Sequence, residues 1–467
     1  MKSLFLFIAC SFTFALFSQY QVGHTTITFN DPARTGGTGS GGGPGRQIQT
    51  EIYYPATTTG DNVALASGQF PVITFGHGFA MSWDAYSNIW QHYVAKGYIL
   101  AFPRTEGSLI PAPSHGDFAM DLQQVTDKIL ALNTDVNSIF NGKILQKSAI
   151  IGHSMGGGAA ILVASNTLNT SHIQTVVGLA PAETNPSAIT VAPNVGVPTL
   201  IFSGTADGVT PPADHHIPIY QGLNSICKAY ISITGGAHCY FANTNFNCDF
   251  GESTTSTNIS ITREEQQTAT FNILDPWLDF KLKGICQSYQ LFFQAMESTN
   301  GTVNQSIGLE IPPTIVIQNN PNQGTGVYCS SLLGGSYQWY MNGQPIPDET
   351  QLCYNIPMDL GVTYQVEVSG YCFCALSQSF TFTSGTNELI SEELNIYPNP
   401  TKDFLNIKNN FGLETSYKLI DIDGRILMEV KSISTEFLLD LRKFENGNYL
   451  LQVENFNGRK TIKVVKD

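Results

Sequence analysis

The chain has 467 residues, a net charge of -14, 42% hydrophobic residues and only 13% charged ones. At roughly 100–200 residues per domain, that length predicts two to four domains, and the composition is too apolar and too weakly charged for a disordered chain. The acidic balance argues against a nucleic-acid or anionic-membrane partner, both of which need a basic surface, and a mean hydropathy near zero argues against a polytopic membrane protein.

Met1-Lys2 is followed by an apolar run that continues to Phe17. This reads as a secretory signal peptide over residues 1–18, because the run is too short to span a bilayer comfortably. The mature chain should therefore meet an oxidising compartment. Of nine cysteines, Cys10 leaves with the signal and eight remain, four before residue 309 and four after it. Disulfides are favoured over metal ligation, because His238 is the only His beside these cysteines and has a better role. In the first group we expect Cys239–Cys248 and Cys227–Cys286; sequence alone does not choose among pairings.

Residues 19–308 alternate strand-like and helix-like runs. Strands are expected over Thr25–Phe29, Gln47–Tyr54, Pro71–Phe75, Tyr98–Phe102, Ser148–Ile151, Val176–Leu179, Thr199–Phe202 and Ala229–Ile233. Several are continuous apolar runs, as in strands buried on both faces of a parallel sheet. Phe118, Leu122, Val125 and Ile129 recur at helical spacing, and Gly156–Ala164 is apolar all round, which predicts a buried helix. The alternation predicts an α/β fold with a mostly parallel central sheet, its first two strands paired as an antiparallel hairpin. Gly36–Gly45 lacks the Gly-Lys-Ser/Thr of a phosphate loop and reads as a flexible turn between those strands.

Residues 309–385 lose helical periodicity and carry short β-rich runs, among them Thr314–Gln318, Tyr337–Tyr340 and Thr363–Val368. Trp339 follows Cys329 by ten residues and Tyr364 precedes Cys372. The pattern resembles an immunoglobulin-like β-sandwich with a core Trp near a disulfide, and a spacer role is favoured. Residues 393–467 form a third body, and 11 of the 23 Lys+Arg fall within Ile390–Asp467. It opens on Leu394-Asn395-Ile396-Tyr397-Pro398-Asn399-Pro400-Thr401 and has Gly447-Asn448-Tyr449 near its end. These motifs resemble the small β-sandwich sorting domain of the type IX (Por) secretion system. The resemblance implies a Bacteroidetes-type outer-membrane export route, the secretion machinery as a partner, and a product that is secreted or held at the cell surface.

The chemistry is concentrated in the first body. Gly152-His153-Ser154-Met155-Gly156 follows a predicted strand and precedes the predicted buried helix. A G-x-S-x-G pentapeptide needs that context, because a sharp strand-to-helix turn lifts the Ser side chain out of the sheet. A serine hydroxyl needs a base, and the base needs an orienting acid. Asp207 follows the strand Thr199–Phe202 and His238 follows the strand Ala229–Ile233, so the order Ser, Asp, His is that of α/β-hydrolases. The oxyanion would be met by the N–H of Met155 and by that of Phe79, in Gly76-His77-Gly78-Phe79.

Phe75-Gly76-His77-Gly78-Phe79, Gly152-His153-Ser154-Met155-Gly156-Gly157-Gly158, Val197-Pro198-Thr199-Leu200-Ile201 leading to Asp207, and Gly236-Ala237-His238 together resemble bacterial cutinases. More specifically, they resemble the cutinase-like polyester hydrolases that include poly(ethylene terephthalate)-degrading enzymes, over about residues 45–285. The resemblance implies Ser154 as nucleophile, His238 as base, Asp207 as its partner, Phe79 and Met155 as oxyanion donors and substrate contacts, and no cofactor. No metal site and a monomeric chain are expected. Two departures stand out. Phe79 replaces a frequent Tyr, and residues 182–196 lack the usual Trp and any other aromatic residue.

His77, His153 and Trp83 border this cleft; the two histidines are read as substrate-side or packing groups, and Trp83 as cleft wall or core. His215-His216 is read as a solvated pair, since adjacent residues on a helix diverge. The leading expectation is a secreted serine esterase acting on polyesters. The alternatives are a lipase or short-chain esterase or acetylhydrolase, and a surface adhesin with a decayed hydrolase domain.

Overall fold

The computed structural model describes residues 20–166, 172–298, 303–307, 315–319, 327–333, 335–357, 359, 361–370, 372–381, 394–409, 411, 414–455 and 458–467, and the signal-peptide segment lies outside them. Two compact units are present. One comprises the chain up to Pro313 together with Ser369–Ala375; the other comprises Thr314–Val368 and Leu376–Asp467.

The first unit is built on an 11-stranded mixed sheet. Its central strands are parallel, running from Lys228–Ile233 through Thr199–Gly204, Ile173–Leu179, Ile144–His153 and Phe70–Gly76 to Ile99–Pro103. Arg46–Ala56 and Gln21–Asp31 continue it as an antiparallel pair, as the hairpin expectation had it. On the other edge Val303–Ile307 pairs antiparallel with Lys228–Ile233. The glycine-rich turn is partly structured, with Gly37–Thr38 adding to Gln47 and Ile48.

Both faces of the sheet are covered, which explains why its strands read as unbroken apolar runs. Side chains alternate across a strand, and neighbours such as Ile150 and Ile151 enter different clusters. Ile151, Val177 and Leu200 pack with Ile89 and Tyr93 of the helix Ser87–Ala95 and with Trp277 of the helix Arg263–Leu278. Ile150, Val176 and Ile201 pack with Phe118 and Leu122 of the helix His115–Ala131 and with Ala159 and Ile161 of the helix Met155–Ser165. Mostly parallel strands with helices on both faces are the architecture of an α/β-hydrolase.

The second unit is all β. Trp339 is fully buried, donates from Nε1 to Gln351 O at 2.9 Å and packs against Tyr354. The disulfide of this region is Cys329–Cys353, between the paired strands Val327–Ser330 and Cys353–Asn355. The C-terminal strands form a three-stranded and a four-stranded sheet around Leu405, Ile407, Tyr417, Leu419, Leu451 and Val453.

The cysteines correct one expectation and keep another. Cys239–Cys248 is formed. Cys227 pairs with Cys372 and Cys286 with Cys374, not with each other. The physical reason is the return of Ser369–Ala375 to the first unit, across sequence separations of 145 and 88 residues, which no local spacing signals. Ending the chain at residue 308 would strip Cys227 and Cys286 of both partners.

Candidate active site

The turn at Ser154 is dictated by its flanking glycines. The strand Ile144–His153 ends and the helix Met155–Ser165 begins with one residue between them. Ser154 has φ 55° and ψ -120°, a conformation that a non-glycine residue rarely adopts. A Cβ on Gly152 would come within 2.1 Å of Gly156 O, and one on Gly156 within 2.1 Å of Gly76 O. Helix and strand approach so closely that neither position admits a side chain. The turn is tied down by Ser154 N–H donating to Leu179 O at 3.0 Å and Ala182 N–H donating to Ser154 O at 2.9 Å. Met155 follows as the first helical residue, so its N–H has no carbonyl acceptor within the helix.

Asp207 and His238 stand on the loops after the next strands but one and two. His238 Nδ1 lies 2.8 Å from Asp207 Oδ2. Asp207 Oδ1 accepts the N–H groups of Val209 at 2.9 Å and Thr210 at 2.8 Å, and Oδ2 accepts the Thr210 hydroxyl at 3.0 Å. Burial alone would raise the Asp207 carboxyl, but the facing His238 charge and hydrogen bond, then His216 and the Thr210 N–H, hold it below the usual carboxylate range. Asp207 therefore stays ionised.

The base loop is fixed from the other side by Glu252, which is buried on the helix Phe246–Thr255. Its carboxylate accepts His238 N–H at 3.0 Å and Cys239 N–H at 2.6 Å. That helix is anchored by Cys239–Cys248, by Asn245 capping Cys248 N–H, by an Arg263–Asp249 ion pair and by Asn247 Nδ2 donating to Ala80 O at 2.8 Å. This 10-residue helix thus bridges His238 and the Phe79–Ala80 turn.

His153 links the three loops. Its Nε2 lies 3.0 Å from His238 O and its Nδ1 2.9 Å from the Tyr86 hydroxyl. A carbonyl only accepts, so Nε2 carries the proton and Tyr86 donates to Nδ1. Tyr86 in turn accepts Gly78 N–H at 2.8 Å. Gly78, the Ser154 turn and His238 are therefore held in mutual register by one buried Tyr–His bridge. Tyr86 has no local signal in the sequence beyond being an aromatic residue in an apolar stretch. Ser154 Oγ forms no hydrogen bond among the described residues, and such bonds often tighten only when substrate is present.

The remaining predicted residues divide. Phe79 is 45% exposed and available to a substrate. His77 is buried between the carbonyls of Gly78 and Thr105, each 2.9 Å from a ring nitrogen, which makes it a packing group. Trp83 is half-buried against the core with the Arg104 guanidinium 4.2 Å over its ring. The solvated reading of His215-His216 is overturned. His215 Nδ1 accepts Glu183 N–H at 2.8 Å, and His216 is fully buried, bonded to Ser203 and Thr210 and 3.7 Å from Asp207. The two side chains do diverge, but the second diverges inward.

Burial, with the His238 charge beside it, pushes the His153 imidazole down to about 3, and burial pushes His216 down to about 3. In the unfolded chain each would take up a proton near 6.5. Between those values the folded state binds fewer protons, so stability falls as pH falls through that window. The expected slope is roughly 1.4 kcal/mol per pH unit for each residue. Urea unfolding at pH 7, 6 and 5 checks it: His216→Gln should flatten the slope by about one such increment. An unchanged slope would contradict burial as a neutral imidazole.

A family model described as PET hydrolase-like matches residues 23–258, and one described as a secretion system C-terminal sorting domain matches residues 395–467. The chain is 25% identical to the cutinase est1 of Thermobifida alba over 218 residues, 46% of this chain and 64% of that protein. It is 27% identical to cutinase 2 of Thermobifida cellulosilytica over 219 residues, 46% of this chain and 72% of that protein. It is 30% identical to chlorophyllase-1 of Arabidopsis thaliana over 123 residues, 25% of this chain and 36% of that protein. The chain thus spans under two thirds of the first of these relatives. The second match is the type IX sorting domain that the C-terminal motifs resemble. Among the described residues no helix is long and apolar enough to cross a membrane. The PET hydrolase-like match covers just over half of the sequence and spans the Ser154 turn, Asp207 and His238, and the chain belongs to that family.

Proposed function

We propose that this protein is a secreted serine carboxylic-ester hydrolase whose substrates are polyesters, including aromatic ones. The observation that carries the reading is Ser154 on a strained strand-to-helix turn, held by the His153 bridge beside an Asp207–His238 pair. Ser154 Oγ adds to the ester carbonyl while His238 Nε2 takes its proton, and the charge on the former carbonyl oxygen is met by the N–H groups of Met155 and Phe79. Collapse breaks the bond to the alcohol oxygen, which leaves with the proton from His238. A water then repeats the steps on the acyl-enzyme, losing its proton to His238 and releasing the acid and free Ser154.

Polymer contact is supported by the helix that bridges the site. Phe246 and Phe250, one turn apart on it, are 82% and 63% exposed, with near-parallel rings 6.2 Å apart. They supply apolar aromatic area on a rigid support, where residues 182–196 supply none. The absence of that second aromatic wall favours a competing reading, a short-chain esterase. Product release from amorphous poly(ethylene terephthalate) film, run beside p-nitrophenyl butyrate, separates the two. The polyester reading expects aromatic product from film. It also expects the Phe246→Ala, Phe250→Ala double variant to lose roughly three- to tenfold on film with little change on the soluble ester, since removing exposed rings removes binding area without touching the chemistry. Turnover of the soluble ester with none on film would leave an esterase.

A further inference from the structure

Behind the Asp207–His238 pair lies a buried chain that the acyl-transfer steps do not by themselves require. Thr210 Oγ1 is 3.0 Å from Asp207 Oδ2, 2.8 Å from His238 Nδ1 and 3.0 Å from His216 Nε2. His216 Nδ1 is 2.8 Å from Ser203 Oγ. Ser203 and His216 are fully buried, and Thr210, Asp207 and His238 are at most 5% exposed, so water does not compete for these groups.

With the Thr210 hydroxyl donating to Asp207, one consistent order of donors runs through the chain. An ionised carboxylate only accepts, so the Thr210 hydroxyl proton goes to Asp207. The hydroxyl lone pairs are left to accept from His216 Nε2–H and to share His238 Nδ1–H with Asp207. A neutral imidazole protonated on Nε2 has its lone pair on Nδ1, which accepts the Ser203 hydroxyl proton. The donors Ser203, His216 and Thr210 all point toward Asp207, and each polarises the next. The other His216 tautomer would set its Nε2 lone pair against the Thr210 oxygen and cost that order. Because burial keeps His216 neutral, the chain adds orientation without adding a cation that would draw Asp207 away from His238. The charged or titratable groups that act on or are acted on by His216 are Asp207, His238, His215 and His153.

We propose that His216 and Thr210 are positioning residues that, with Ser203, aim Asp207 Oδ2 at His238 and hold His238 in the Nδ1–H tautomer, leaving Nε2 to receive the Ser154 proton. This rests on the Ser154 reading above. Both act through the Asp207–His238 pair and not on the substrate.

The test uses the whole chain and p-nitrophenyl butyrate, with Thr210→Val, Thr210→Ser, His216→Ala, His216→Gln and the Thr210→Val, His216→Ala double variant. Thr210→Val removes the hydroxyl at nearly constant shape and should lower kcat about tenfold or more with KM within about twofold, as expected for a misaligned catalytic group. Thr210→Ser should recover most of the loss. The double variant should be no worse than Thr210→Val alone, because residues in series on one chain are not additive. The low-field proton resonance of the His238–Asp207 bond should shift or broaden in Thr210→Val. The proposal is overturned if folded Thr210→Val and His216→Ala both turn over within about twofold of the parent, if Thr210→Ser loses as much as Thr210→Val, or if the two losses multiply in the double variant. Should Thr210→Val or His216→Ala not fold, His216→Gln, which keeps a donor toward Thr210, must retain kcat within about threefold while Thr210→Ser does the same, and failure of either overturns it. Turnover of Ser154→Ala within tenfold of the parent would instead sink the underlying site assignment, whatever the Thr210 series shows.

Discussion

Ser154→Ala is expected to lower kcat for p-nitrophenyl butyrate by about a million-fold, the scale of removing the nucleophile from a triad that works as a unit. The fold should survive. Ser154 Oγ makes no hydrogen bond among the described residues, and the turn is held by backbone bonds to Leu179 and Ala182 and by Gly152 and Gly156, none of which involves the hydroxyl. Alanine meets the same positive φ at a similar steric cost. An unchanged thermal midpoint with kcat lowered by about a million-fold is the predicted pair of results. Turnover within tenfold of the parent would place the nucleophile elsewhere.

Asp207→Asn is expected to cost about 10⁴ in kcat, and the local geometry says why. Oδ1 is claimed by two backbone N–H groups, from Val209 and Thr210, which must find an acceptor. The amide oxygen of an Asn is therefore drawn to the Oδ1 place, and its NH₂ falls where Oδ2 stood, against His238 Nδ1. A donor there demands a lone pair on Nδ1, which moves the imidazole proton to Nε2 and leaves nothing to accept the Ser154 proton. The same NH₂ meets the Thr210 hydroxyl and reverses the chain that ends on it. Steady-state kinetics with thermal unfolding as the folding control checks this; a loss under tenfold would mean that Asp207 does not set the tautomer.

The parts of this site that could be read from sequence are those fixed by local rules. A Ser, an Asp and a His that each follow an apolar run announce themselves, because a parallel sheet puts strand-end loops together on one edge. Gly152 and Gly156 are legible for the same reason, since backbone contact leaves no alternative. What stayed hidden depends on which segments meet. Cys227–Cys372 and Cys286–Cys374 require the chain to return after 145 and 88 residues, and nothing near those cysteines records it. His216 was misread because divergence from His215 was equated with exposure, whereas Ser203 and Thr210 wait for it inside. Tyr86 and Glu252 hold backbone N–H groups of Gly78 and His238, roles that become visible only when two loops are seen side by side. The helix Phe246–Thr255 did carry a local sign, Asn245 as a capping side chain for Cys248 N–H.

The central claim is that Ser154 becomes covalently acylated, and a stoichiometric reaction with diethyl p-nitrophenyl phosphate followed by peptide mass mapping tests it most directly. The account predicts one diethylphosphoryl group per chain, on the peptide containing Ser154, with release of p-nitrophenol at the same rate, no adduct in Ser154→Ala and a greatly slowed one in Asp207→Asn. An adduct on another residue, or undiminished ester turnover in a chain that takes up none, would contradict it.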